Sequence, residues 1–191
     1  MKTLLFLTVA FLFVTTTSGQ DTIISADYFL PENFSKSLKW NNAINTNAIN
    51  EQFYCKEDSL NIKNCNVAFN IINTEKDFCH LYYACKWCKD NYEVAFPKLL
   101  QRLTDTTKIG LEPYTDLYIT DRPKYYIQNP MSTGSRPGIL INEDIFTIAG
   151  RASWILNEIT GENFAIVHPS STLEKLNQFK QNWIDWIKKL K

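Results

Sequence analysis

Cys85-Lys86-Trp87-Cys88 is the feature that most narrows what this chain can build. Two cysteines with two residues between them sit after the apolar run Phe78–Ala84 and before a helix-like stretch closing near Leu103. Where a strand feeds a helix, that spacing is the arrangement thiol–disulfide chemistry uses. The first turn of a helix presents unpaired N–H groups and partial positive charge, which favour a thiolate on the leading cysteine. Lys86 and Lys89 add charge of the same sign. Phe78–Ala84 is aromatic and apolar in the manner of a buried central strand. The pattern predicts a Cys85 sulfur at a helix N-terminus, half open to solvent.

Ahead of this lies a leader. Met1-Lys2 is basic, Leu4–Val14 is apolar and Thr15–Gly19 is small and polar, the three regions of a secretory signal peptide cleaved after Gly19. The apolar run is short for a bilayer span, and no later segment approaches its length. The expectation is a protein of about 170 residues, secreted or in the secretory-pathway lumen, without an integral membrane segment. Asn33-Phe34-Ser35 is an N-glycosylation acceptor, placing a sugar on Asn33. A formal net charge of zero and no basic stripe argue against a nucleic-acid partner. Twelve Phe, nine Tyr and five Trp can fill a sizeable core.

The five cysteines, at 55, 65, 79, 85 and 88, fall in the middle third of the chain. An odd count leaves one thiol free or available for an intermolecular disulfide. Cys55 and Cys65 flank a charged loop, and the reading there is a local structural disulfide. Cys79, His80, Cys85 and Cys88 are near in sequence, but in a strand Cys79 and His80 point to opposite faces. That set does not supply four convergent zinc ligands. His168 precedes Pro169 without a nucleophilic serine motif, so hydrolase chemistry is not indicated. No metal or organic cofactor is required.

Residues 20–66 read as an Asn-rich N-terminal extension with one short helix around Phe34–Ala43, and residues 67–191 as the domain proper. Within the domain, Val67–Asn73 can end a helix and Glu75-Lys76-Asp77 is a turn. Asp90–Leu103 has helical spacing, with Pro97 expected to kink or restart it. Asp116–Thr120 and Gly138–Asn142 read as strands, and Ile145–Ala149 as the partner of the latter in a hairpin closed by Gly150-Arg151. Ala152–Ile159 looks helical until Gly161. Ser171 and Glu174 fit a capping box, and Leu173, Leu176, Phe179, Trp183, Ile187 and Leu190 form one apolar stripe. The expected fold class is α/β, with a mixed central sheet flanked by helices.

That order, with C-K-W-C-K, Asp121-Arg122-Pro123 and the tail from Pro137 through Ile148-Ala149-Gly150-Arg151, resembles a divergent thioredoxin-like domain. The likeness is to the disulfide-isomerase and anterior-gradient branch, over Val67 to Lys191. It implies a thioredoxin-like three-layer fold with Cys85 as attacking thiol, Cys88 as resolving thiol and Pro137 as the cis-proline facing them. Trp87 and Arg136 would meet the substrate. The implied activity is a protein thiol–disulfide oxidoreductase or isomerase acting on protein disulfide clients by exchange through a mixed disulfide. The alternative is a redox-inactive secreted binding or chaperone module in which Cys85–Cys88 is a structural disulfide.

Overall fold

The structure, a computed structural model, describes residues 30–31, 34–37, 62–112, 117–119 and 139–190. Among these, helices dominate: α1 Phe34–Ser37, α2 Cys65–Thr74, α3 Phe78–Asp90, α4 Tyr92–Arg102, α5 Ile148–Thr160 and α6 Leu173–Lys189. Strand is confined to two three-residue segments, β1 Leu117–Ile119 and β2 Ile139–Ile141. They pair in parallel, Leu117 opposite Ile139 and Ile119 opposite Ile141. This corrects the α/β expectation. No central sheet layered by helices exists among the described residues, and the core is built helix on helix.

The decisive difference is Phe78–Ala84, which is the first half of α3 and not a strand. Asp77 caps it, its Oδ1 accepting from the Cys79 N–H at 2.7 Å and the His80 N–H at 3.2 Å. Phe78, Leu81, Tyr82, Cys85 and Cys88 recur at three- and four-residue steps, and all are buried. Helical periodicity was therefore present inside an apolar run interrupted only by His80, where it is easily read as a buried strand. The preceding turn is organised by Glu75, whose Oε1 accepts from the Lys76 and Asp77 N–H groups at 2.8 and 3.3 Å. The three-residue connection turns α3 back against α2. The boundary expected at residue 66 falls inside the first turn of α2.

α4 runs uninterrupted through Pro97, and the break lies upstream at Asn91, where φ −123° and ψ 39° leave the helical region. The expected partner strand Ile145–Ala149 is also absent. Thr147 Oγ1 instead donates to the Asp144 carbonyl at 3.0 Å and accepts from the Gly150 N–H at 3.1 Å, capping α5. A β-branched run thus becomes a turn and a helix start because one hydroxyl satisfies an orphan donor. Gly150 sits in that first turn, where a Cβ would collide with the Asp144 carbonyl. Gly150→Ala should cost about 1–3 kcal/mol through this overlap. Urea denaturation reads it, and a wild-type midpoint would refute the close approach.

α5 is the hub. All thirteen of its residues are buried, so no face is left for solvent. Its C-terminus is closed by Gly161 at φ 67°, a left-handed position glycine adopts freely. α6 buries Leu176, Trp183 and Ile187 of the expected stripe but leaves Leu173 exposed, and its cap is Thr172, whose Oγ1 accepts from the Lys175 N–H, in place of the expected Ser171. Phe34 docks against this end of the molecule, with ring centroids 4.8 Å from Phe96 and 5.9 Å from Trp186. Trp183 lies 5.0 Å from Phe164 and 5.5 Å from Trp186, completing an aromatic cluster. No helix among the described residues is long and apolar enough to cross a membrane.

Candidate functional site

The two cysteines of the C-K-W-C motif lie in the second half of α3, eighth and eleventh in its 13 residues. The helix N-terminus that would activate a thiol is two turns away, and the nearer end carries the negative pole. Both residues are fully buried. Burial pushes the Cys85 thiol well up, the nearby Glu158 and Cys88 push it further, and Lys89 only partly offsets them. Burial likewise raises the Cys88 thiol, with Cys65 adding to the effect and Arg102 opposing it. Each change is the reverse of what an attacking thiolate needs.

Geometry also separates the pair. Residues three apart in a helix have Cβ atoms about 5–6 Å apart, whereas a disulfide wants roughly 3.5–4.5 Å. An intact α3 therefore cannot close Cys85 onto Cys88, and both are free thiols. Neither the redox disulfide nor a structural Cys85–Cys88 bridge is the state of this molecule. Trp87 packs half-buried against the core, so its ring is committed to the fold. Arg136, Pro137 and Asn33 lie outside the described residues, as does Cys55.

The expected Cys55–Cys65 disulfide is corrected too. Cys65 is a free, half-buried thiol at the head of α2. Cys79 is instead disulfide-bonded, to a partner outside the described residues.

Sequence reading passed over a buried polar cluster on α5. Asn157 Nδ2 donates to Glu143 Oε1 at 2.6 Å and to the Ala165 carbonyl at 2.8 Å. Ser153 Oγ donates to the same carbonyl at 2.5 Å. Desolvation, reinforced by the Glu143 charge, pushes the Glu158 carboxyl up to about 8. Burial also raises Glu143, against the Asn157 hydrogen bond. One turn earlier on α5, Arg151 is completely buried and donates to three carbonyls: Ile145 at 2.8 Å, Ile72 at 2.9 Å and Gly110 at 2.8 Å. The signal available in sequence was A-G-R-A-S-W-I-L-N-E-I-T, which lacks a solvent stripe although it carries charges.

A cleft of about 170 Å³ opens at the head of α5, lined by Thr106, Lys108, Asp144, Thr147, His168 and Ser171 among others. Asp144 is held there by its backbone, its N–H donating to the Val167 carbonyl at 2.7 Å. Ser171 closes the adjoining turn: its Oγ accepts from the His168 N–H at 3.0 Å, and its own N–H donates to the His168 carbonyl at 2.9 Å. The lining thus combines hydroxyl, carboxylate, imidazole and ammonium groups on a rigid frame. It can hold a small polar group through several hydrogen bonds.

No family model, curated protein or solved structure matches this chain.

Proposed function

We propose that this is an exported binding module whose C-K-W-C cysteines serve the fold, and that it does not turn over protein disulfides. The observation that carries the reading is the placement of the Cys85 sulfur, sealed in mid-helix with its thiol held protonated. Exchange requires a thiolate that a client's disulfide can reach in line. A disulfide at Cys79 suits an oxidising compartment, in keeping with the signal-like leader. The polar cleft at the head of α5 is the concave surface where a small polar ligand would be held.

Thiol chemistry tests the reading. In the native protein Cys85 should resist a water-soluble aromatic disulfide and react with it only after unfolding. Insulin reduction should match the dithiothreitol blank, and Cys85→Ala should leave it there. A mixed disulfide with insulin trapped through Cys85 in Cys88→Ser would overturn the proposal.

A further inference from the structure

We propose that Cys65 and Cys88 form a disulfide across the α2–α3 helix pair, leaving Cys85 as the one permanent thiol of the core. Cys65 stands nine residues before the end of α2 and Cys88 ten after the start of α3. At 1.5 Å per residue, the two lie about 14 and 15 Å from the turn that joins the helices. They are therefore level with one another on packed neighbours. Helices packed 8–10 Å apart bring facing Cα atoms, each about 2.3 Å off its axis, to roughly 4–5 Å. That overlaps the roughly 4.4–6.8 Å range that disulfides span.

Two further observations favour the pairing. Cys65 is half-buried and packs on the same core cluster that encloses Cys88. The Cys65 thiol is also close enough for its charge to act on Cys88, second only to burial itself. Cys85 differs, since its neighbour on another element is Glu158 of α5. The two cysteines of the motif thus look in different directions, and only Cys88 has a cysteine across from it.

The oxidant is a low-molecular-weight disulfide such as oxidised glutathione. The Cys65 thiolate, the more accessible of the two, attacks one glutathione sulfur and expels a glutathione thiolate. The Cys88 thiolate then attacks the Cys65 sulfur of the mixed disulfide and expels the second glutathione. The two protons lost from Cys65 and Cys88 end on the two glutathione thiols, so two electrons pass from the protein to the oxidant. Because Cys88 holds its proton tightly, the second step should quicken as pH rises.

The proposal rests on the reading of these cysteines as structural, and one experiment distinguishes the two. The full mature chain is incubated with oxidised glutathione, free thiols are alkylated, and a non-reduced peptide map is read by mass spectrometry. The expected result is a Cys65–Cys88 cross-linked peptide, with Cys85 alkylated only under denaturant. The same map gives the partner of Cys79. Cys88→Ser should stop at a Cys65–glutathione adduct, whereas Cys85→Ser should still cross-link. The cross-linked protein should melt about 5–10 °C above Cys65→Ser, the shift expected for closing a loop of this length. Cys65 left alkylated or only glutathionylated in the wild type would overturn the cross-link and leave the functional reading standing. A Cys85–Cys88 peptide would overturn both.

Discussion

Replacing Arg151 with leucine should destabilise the fold by about 4 kcal/mol, a large share of the total stability of a domain this size. In a thermal scan that corresponds to a fall of roughly 10 °C. Among the described residues the guanidinium has no carboxylate at hydrogen-bond distance, and it is held by three carbonyls from separate segments. Ile72 belongs to the last turn of α2, whose terminal carbonyls lack partners inside their own helix. Arg151 supplies one and sets positive charge at the negative end of that helix. Burial lowers its pKa to about 10, with Glu75 pulling it back up, so it stays charged at neutral pH. Leucine fills part of the space but strands all three acceptors. Arg151→Lys keeps the charge and lacks the planar fork, so its loss should be intermediate. A leucine variant within 1 kcal/mol of wild type would mean those carbonyls find other donors, and the clamp would be no clamp.

The second large effect is on pH. Glu158 carries a folded-state pKa of about 8, raised first by burial and then by the Glu143 charge, against an ordinary value of 4.5. The unfolded chain therefore gives up this proton near pH 4.5 while the folded chain keeps it to about 8. Between those values the native state binds the extra proton, so stability falls as pH rises and flattens above pH 8. The loss across the window is on the order of 5 kcal/mol. Glu143 is shifted the same way and adds to the slope. Glu75 is lowered, chiefly by its hydrogen bond from the Lys76 N–H, and opposes it in more acidic solution. The thermal midpoint should thus be higher at pH 5.5 than at pH 8. Glu158→Gln, neutral at every pH, should resemble wild type at pH 5.5 and exceed it at pH 8. Equal midpoints for the wild type at both pH values would refute the buried carboxyl.

The same cluster explains what could and could not be read from residues alone. The α6 stripe, the Gly161 stop and the positions of β1 and β2 were legible because period and punctuation are local signals. The helix over Phe78–Ala84 was hidden because an apolar run interrupted only by His80 blunts the contrast that separates a period of 3.6 from one of 2. Its Asp77 cap was the better clue. Ile145–Ala149 departs from the strand expectation for a related reason: β-branched propensity is weak and yields to a single side-chain cap. The cysteine motif misled most. Its chemistry depends on where in a helix the spacing falls, and that position is set by Asp77, eight residues upstream of Cys85. Arg151 and Glu158 were signalled only by the missing solvent stripe of their helix, and Glu143 gave no local sign. Their roles come from segments far apart in the chain, such as Ile72, 79 residues from the arginine that binds it.

Phe34 has one more consequence. It lies near the start of the chain, and Trp186 lies near its end, yet their rings are in contact. The ring of Phe34 therefore ties α1 to α6. Trimming the polypeptide past residue 34 would bare Phe96 and Trp186 to water and leave a sticky aromatic scar, so tags and truncations belong elsewhere.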